Sequence, residues 1–117
     1  MEHGDVVMDL DAVLERLGGD RELLAELATV YLEDEAAQIA QVEAAVTGGD
    51  PEGVRRAAHA IKGSVANFGA GRAQAAALAL EMAGRDNGLS NAPPLLDALR
   101  RELAALHDAL SDLAAPR

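Results

Sequence analysis

Apolar residues recur along most of the chain at the three- and four-residue spacing of an amphipathic α-helix. A broad stripe runs through residues 24–46, and shorter stripes occupy residues 10–17 and 54–68. The most regular stripe lies near the end of the chain and consists of Leu96, Leu99, Leu103, Leu106, Leu110 and Leu113. No segment shows the alternation of apolar and polar residues that would indicate a β-strand. The pattern therefore predicts an all-α protein.

Capping residues divide this pattern into helices. Asp9 and Asp20 precede the first two stripes as N-cap candidates, and Asp50-Pro51-Glu52 combines a cap, a proline at the first position and an acidic first turn. Glycine pairs at residues 18–19 and 48–49 are typical of helix ends. The first helix is therefore short and the second is long.

The rest of the chain supplies three more helices. The third should end near Phe68-Gly69, an alanine-rich fourth runs from about residue 70 to 83, and Pro93-Pro94 opens the last. Long amphipathic segments with short connections predict an antiparallel up-down four-helix bundle with a short extra N-terminal helix. We expect one domain over residues 1–117, with loose termini at 1–8 and 115–117.

Within the long second helix, Leu24, Leu27, Ala28 and Tyr31 begin the apolar stripe. Three further apolar residues lie off it. Either the short first helix covers them or they form a docking surface, and the sequence leaves both interpretations open. They are Leu23, Val30 and Leu32.

Composition and charge narrow the possible functions. The chain has no cysteine, half its residues are apolar and only 2% are aromatic, so alanine and branched aliphatic side chains must build the core. The formal net charge of −10 argues against a nucleic-acid partner, which requires a basic surface. We find no signal peptide and no apolar run that could span a bilayer. We therefore expect a monomeric, soluble, cytoplasmic protein without a membrane partner.

One stretch is not explained by helix packing alone. Lys62 is the only lysine and follows His59 by one turn, and Gly63 stands inside the helix, where glycine costs roughly 1 kcal/mol against alanine. At 100° per residue, His59 points away from the apolar arc of this helix. That arc, the predicted buried face, consists of Val54, Ala58, Ile61, Val65 and Phe68.

The side of the helix that carries His59 is basic and has small residues. Arg55, Arg56 and Lys62 form a predicted positive island on an acidic protein, and Ala66 adds to the small surface around the ring. A charge cluster is usually only a solvated helix face. Its coincidence here with an exposed histidine and a glycine favours a functional site.

The residues present exclude several kinds of chemistry. There is no phosphate-binding loop followed by Lys-Ser/Thr and no Glu-x-x-His pair, and the three histidines are far apart in sequence. His107 lies at the edge of the apolar face of the last helix, where a half-buried structural role is favoured. His3 falls in the predicted loose terminus. Catalysis by this chain alone is therefore not indicated, and no metal is expected.

The chemistry that remains is nucleophilic attack by a histidine on a group that another protein supplies. A histidine nitrogen can attack phosphorus and hold the phosphoryl group as a phosphoramidate. Lys62 is placed to contact phosphate oxygens on His59, and such charged hydrogen bonds are worth roughly 1.5–3 kcal/mol. Gly63 would leave space for the incoming partner. Ser64 and Asn67 lie farther round the helix and are weaker candidates for polar contacts with it.

These residues also resemble a known signature. Residues 58–70 read Ala-His-Ala-Ile-Lys-Gly-Ser-Val-Ala-Asn-Phe-Gly-Ala. The stretch is similar to the motif of histidine-containing phosphotransfer (HPt) domains, roughly Ala-His-x-Leu-Lys-Gly-Ser-x-x-x-x-Gly-Ala. Ile61 replaces the commoner leucine, and Leu80-Glu81 stands about where the family has Leu-Glu in its next helix. The resemblance extends from about Leu10 to Leu113.

The resemblance implies a role for each motif residue. His59 would be the phospho-acceptor, Lys62 the cation that stabilises the phosphate, and Gly63 the small residue that admits a response-regulator receiver domain. The partners would be receiver domains, a hybrid histidine kinase, or both. The receiver would supply Mg²⁺, so no cofactor is expected on this chain. Members of the family are phosphorelay intermediates without kinase activity of their own.

Three alternatives stay open at the level of sequence. The chain could be a helical adaptor that binds receivers without carrying phosphate, although such proteins typically lack the histidine. It could be a phosphotransfer domain excised from a larger chemotaxis-type or hybrid kinase. It could also be a structural bundle in which His59 is incidental, but the glycine inside the helix would then be unexplained.

Overall fold

A computed structural model describes residues 6–86 and 88–114, and within these ranges the chain forms helices and no strand. His3 and the other residues of the predicted loose termini at 1–5 and 115–117 lie outside the described residues. The elements in chain order are α1 (Leu10–Arg16), α2 (Arg21–Thr47), α3 (Pro51–Ala66), α4 (Gly71–Arg85), a 3₁₀ turn (Leu89–Asn91) and α5 (Ala92–Ala114).

The first three helices begin at the predicted capping residues. The carboxylates of Asp9, Asp20 and Asp50 each accept a hydrogen bond from a backbone N–H three residues later, at 3.0–3.1 Å. Pro51 is the first residue of α3, where its missing N–H costs nothing. Gly69 has a φ of 59° in the link from α3 to α4, a conformation that favours glycine.

The long helices enclose one apolar core. α3 packs most extensively on α4, α2 packs on α3 and α5, and α5 also packs on α4, while the short α1 lies against α2. All five residues of the predicted buried arc on α3 are buried, and so are the first five leucines of the α5 stripe. The predicted core faces of these two helices are therefore confirmed.

Helix α2 departs from its predicted pattern in its first half. Leu27, which the stripe places inside, is 36% exposed. Val30, one of the three residues that lie off the stripe, is 55% exposed, so the first helix does not cover it. Leu32 packs against the core and Leu23 is half-buried. The reason is that α1 has only seven residues and is too short to cover this face of α2.

Two predicted boundaries also shift. Helix α4 continues to Arg85, two residues beyond the predicted end, and α5 begins at Ala92, just before the prolines. The prediction of a loose terminus over residues 1–8 is wrong for residues 6–8. The Val6 carbonyl accepts a hydrogen bond from the Arg72 N–H at 3.0 Å, and the next two side chains pack against the core.

None of the described helices is both long and apolar enough to cross a membrane.

A close contact between α3 and α4 depends on a glycine. Gly84 is buried, and a Cβ at this position would lie 2.6 Å from the backbone nitrogen of Arg55 and 2.7 Å from the carbonyl oxygen of Pro51. Both atoms belong to backbone and cannot turn away. The absence of a side chain at residue 84 therefore lets the last turn of α4 rest directly on the start of α3.

We expect Gly84→Ala to destabilise the protein by about 1–3 kcal/mol, because the added methyl group forces the two helices apart. Gly63→Ala is the matched control, since a Cβ at residue 63 meets nothing within 4 Å. That variant should gain roughly 0.5–1 kcal/mol from helix propensity. Urea denaturation followed by circular dichroism measures both. Equal midpoints for the two variants would contradict the packing role of Gly84.

Candidate functional site

His59 lies on the exposed side of α3 and is anchored to α4. Its side chain is 63% exposed, and its Nδ1 atom lies 2.9 Å from Oε2 of Glu81. The apolar face of α3 turns inward, so the opposite face must carry the ring outward, as the sequence predicts. The contact with α4 holds the ring in one orientation while its Nε2 edge stays accessible.

Glu81 is the centre of the local charge network. Its carboxylate is only 3% exposed, although three cationic or ionisable groups reach it from the surface. Lys62 Nζ lies 2.8 Å from Oε1, and Arg85 Nη2 lies 3.7 Å from the Oε2 atom that also contacts His59. One buried carboxylate therefore fixes the histidine and the lysine of the motif side by side.

These contacts keep Glu81 ionised. The contact with Lys62 is the largest cause that lowers the pKa of this carboxyl below its ordinary value, and the contact with His59 acts in the same direction. Burial opposes the shift but does not overcome it. At neutral pH the site therefore contains a buried carboxylate anion.

An ionised carboxylate can only accept hydrogen bonds, so Nδ1 of His59 must carry the proton of their contact. In a neutral ring the other nitrogen, Nε2, then has the lone pair. That nitrogen belongs to the exposed edge of the ring. Glu81 thus selects the tautomer that offers a nucleophilic nitrogen to an approaching molecule.

Lys62 is bound to the same carboxylate and is partly shielded, with 26% of its side chain exposed. Its ammonium group is therefore held beside the His59 ring. Because a lysine has a flexible four-carbon stem, the group can turn toward an anion on the ring without any backbone movement.

The predicted positive island is less positive than the sequence suggests. Arg55 makes a two-point contact with Glu52, with nitrogen–oxygen distances of 3.0 and 2.6 Å. Arg56 lies 3.9 Å from the same carboxylate and lines a groove toward α2. The two arginines therefore stand near the histidine but are already partly neutralised, because Glu52 lies one helical turn earlier on the same face.

The remaining predicted residues divide into two groups. Gly63 is exposed with open space above it, next to the ring, and Ala66 is half-buried one turn farther on. Ser64 and Asn67 instead face α2: the Ser64 hydroxyl accepts a hydrogen bond from Gln38 at 3.0 Å, and both residues line a groove of about 380 Å³. The structure thus gathers His59, Lys62 and Gly63 and directs the other polar pair away.

Two residues of the site have no role in the predictions from sequence. In the sequence, Glu81 stands out only as part of a Leu-Glu pair, and nothing singles out Arg85. A signal for Glu81 does exist, since it is a carboxylate on the otherwise small and apolar face formed by Ala77, Leu80 and Gly84. A charge on a buried face usually has a partner on the next element.

A second histidine–carboxylate pair joins α2 and α5. His107 Nδ1 lies 2.7 Å from Oε1 of the buried Glu35. The His107 side chain is 49% exposed, so it is more exposed than the half-buried position predicted for it. Among the described residues no lysine or arginine forms an ion pair with Glu35. Burial, together with the nearby Glu35 carboxylate, raises the pKa of Tyr31. The pair of His107 and Glu35 therefore resembles the pair of His59 and Glu81 but lacks a cation such as Lys62.

No described group of three or more histidine, aspartate or glutamate side chains is arranged to hold a metal ion.

Comparisons with known proteins agree on the fold and on the family. A solved structure of histidine-containing phosphotransfer protein B from Pseudomonas aeruginosa superposes with a TM-score of 0.82 at 24% sequence identity, covering 90% of this chain and 91% of that one. A comparison with curated proteins finds no significant match. The family model of the Hpt domain matches residues 26–109.

The fold and the site define an all-helical protein that presents one histidine on its surface beside a lysine and a glycine. The chain belongs to the Hpt domain family, because the family model covers well over half of it. Its function is accordingly histidine phosphotransfer in a phosphorelay of a two-component signalling system.

The lowered pKa of Glu81 has a consequence for stability. A carboxyl whose pKa is lower in the folded state stabilises that state above its ordinary value of 4.5, and the stabilisation is lost as the pH falls through the lowered value. We therefore expect Glu81→Gln to be less stable than the wild type by about 1–3 kcal/mol at pH 7, with the difference shrinking below pH 4.5.

The measurement is urea denaturation at several pH values between 7 and 3. Glu52→Gln is the matched control, because Glu52 also pairs with arginines but stands on the surface. It should lose less stability than Glu81→Gln. A Glu81→Gln difference that does not change with pH would contradict the assignment of the buried carboxylate as an anion.

Proposed function

We propose that His59 is the residue that carries the phosphoryl group, and that it passes the group between the aspartates of receiver domains. The observation that supports this assignment is the 2.9 Å contact between Nδ1 of the ring and the buried Glu81 carboxylate. The Nδ1–H of the ring is bound to this carboxylate, which leaves the Nε2 lone pair facing solvent beside Lys62.

The proposed transfer is a displacement at phosphorus. The Nε2 lone pair of His59 attacks the phosphorus of a receiver aspartyl phosphate. The bond between nitrogen and phosphorus forms as the bond between phosphorus and the aspartate oxygen breaks, and the electron pair leaves with the aspartate carboxylate. The ring keeps its Nδ1 proton and becomes cationic, and the Glu81 carboxylate stabilises that charge. Transfer to the next receiver is the reverse displacement.

Lys62 has two successive partners in this proposal. Before transfer its ammonium group is held on Oε1 of Glu81. When a phosphoryl group arrives on His59, the ammonium turns to the phosphate oxygens, whose negative charge it neutralises. Because the lysine starts in position, little of the cost of ordering its side chain falls on the transfer step.

Gly63, Arg55 and Arg56 serve the approach of the partner. The open space at Gly63 lets the surface of a receiver come close to the ring. The two arginines add attraction toward an acidic partner, weakened by Glu52. We propose that Mg²⁺ is bound by the receiver and that this chain needs no cofactor and has no kinase activity of its own. Ser64, Ala66 and Asn67 would contact only the edge of a docked receiver.

We further propose that α2 to α5 form an antiparallel up-down four-helix bundle with α1 as the short extra helix. The closed series of contacts from α2 to α3, α4, α5 and back to α2 supports this arrangement, as do the short links between the helices. Residues 1–117 would form one domain that acts as a monomer. A cytoplasmic location stays a prediction from the sequence.

We expect His59→Gln to abolish transfer of the phosphoryl group from a phosphorylated receiver, because the variant has no nucleophilic nitrogen. The experiment incubates the protein with each receiver domain of the source organism, labelled with ³²P at its aspartate, and follows label on the chain. His107→Gln is the matched control and should be labelled like the wild type. The His107 pair has the same geometry without a lysine.

Labelling of His59→Gln at the wild-type rate would refute the assignment of the acceptor. A wild-type protein that takes label from none of the receivers would refute the proposed relay itself.

We expect Lys62→Ala to slow the transfer about tenfold to a hundredfold, since a charged hydrogen bond to phosphate is worth roughly 1.5–3 kcal/mol. Rapid-quench measurement with a labelled receiver gives the rate, and circular dichroism checks the fold. Arg101→Ala, which removes an exposed cation on α5, should leave the rate unchanged. Equal rates for Lys62→Ala and the wild type would remove the proposed role of this lysine.

A further inference from the structure

Helix α4 exposes an apolar strip that the fold does not use. Leu78 is 42% exposed and Met82 is 39% exposed, although most other large apolar side chains of the described residues are buried or half-buried. The two lie four residues apart and so are neighbours on the helix surface. Arg85 follows Met82 by three residues and continues the same face. We name Leu78, Met82 and Arg85 the α4 strip.

The α4 strip borders the histidine site. Glu81, which holds His59 and Lys62, comes three residues after Leu78 and four before Arg85, so it lies beside the strip along its whole length. Arg85 belongs to both, since its guanidinium group is 3.7 Å from the Glu81 carboxylate. A protein large enough to bring a phosphorylated side chain to His59 therefore reaches the α4 strip as well.

We propose that the α4 strip is a contact surface for the receiver domain and contributes to the choice among receivers. The inference rests on the proposed phosphotransfer function. Leu78 and Met82 would pack against apolar side chains of the receiver, and Arg85 would face the acidic pocket that surrounds its aspartate.

The charge of this part of the surface favours a receiver domain as the partner. A domain that holds Mg²⁺ next to an aspartyl phosphate needs carboxylates to bind the metal, so its docking face carries negative charge. Most of this chain would repel that face, since its formal net charge is −10. Arg85 lies at the site, is 54% exposed and is held only loosely by Glu81, so its guanidinium group is free to turn toward a partner.

The anchoring of His59 to α4 favours α4 over α2 as the helix that carries the docking surface. The other exposed apolar pair, Leu27 and Val30, lies on α2 and borders the groove of Ser64 and Asn67. That groove opens on the side of α3 toward α2. The ring of His59 is instead hydrogen-bonded to α4. Glu81, which makes this contact, lies on the same helix as the α4 strip, whereas the groove lined by Leu27 and Val30 does not include His59.

The test compares transfer kinetics from a labelled receiver to the wild type and to the Leu78→Ser/Met82→Ser double variant. Both side chains are exposed, so the fold should be retained, and circular dichroism with thermal melting confirms it. We expect KM for the receiver to rise at least about tenfold, while kcat stays within about twofold. A contact that only aids docking changes KM, because it does not touch the reacting atoms.

Arg85→Gln, with Arg101→Gln as its matched control, tests the charged end of the strip. Both substitutions remove one exposed arginine, but Arg101 lies on α5. We expect Arg85→Gln to raise KM severalfold at low salt, with a smaller effect at high salt where charges are screened. Arg101→Gln should change KM by less than about twofold at either salt concentration. Equal effects of the two variants would overturn the role of Arg85.

The Leu27→Ser/Val30→Ser double variant decides between the two apolar surfaces. An unchanged KM for Leu78→Ser/Met82→Ser would overturn the inference, and a raised KM for the α2 variant would then place the docking surface on α2. A raised KM for the α4 variant supports the inference whatever the α2 variant does. Failure of the wild type itself to accept label would count against the phosphotransfer function instead, so the two failures are distinguishable.

Discussion

The site depends on one buried carboxylate. Glu81 binds His59 through one oxygen and Lys62 through the other, and both contacts are shorter than 3 Å. Without this anion the ring would be free to rotate and to change tautomer, and the lysine would be an ordinary flexible surface cation. The cost of burying the charge is offset by the partners that surround it. The reactive arrangement is therefore a property of two helices and not of the motif on α3 alone.

The packing of α3 on α4 makes this arrangement possible. Gly84, one turn after Glu81, allows the α4 backbone to touch the start of α3, and small residues such as Ala73 and Ala77 keep the two helices close. A short distance between the axes brings the Glu81 side chain within reach of groups on the outer face of α3. The low aromatic content of the protein suits this design, because a bulky core would separate the helices.

A comparison of the two histidine–carboxylate pairs shows which features belong to the His59 site alone. His107 on Glu35 reproduces the contact of His59 on Glu81, including the use of Nδ1 and a largely buried carboxylate. Only the His59 pair has a lysine on the same carboxylate and a bare glycine beside it. A histidine held by a carboxylate thus occurs twice in the described structure, and the added cation and open backbone are what distinguish the His59 pair.

The sequence by itself determined the helices, their capping residues Asp9, Asp20 and Asp50, and the outward direction of His59, because spacing along one helix follows from its own geometry. The same rule placed Lys62 and Gly63 next to the ring. The pairing of Arg55 and Arg56 with Glu52 likewise follows from spacing within α3. Only the tertiary structure decided the partner of the histidine and the exposure of Leu27. Those features depend on how two helices lie against each other, which the periodicity of a single segment does not encode.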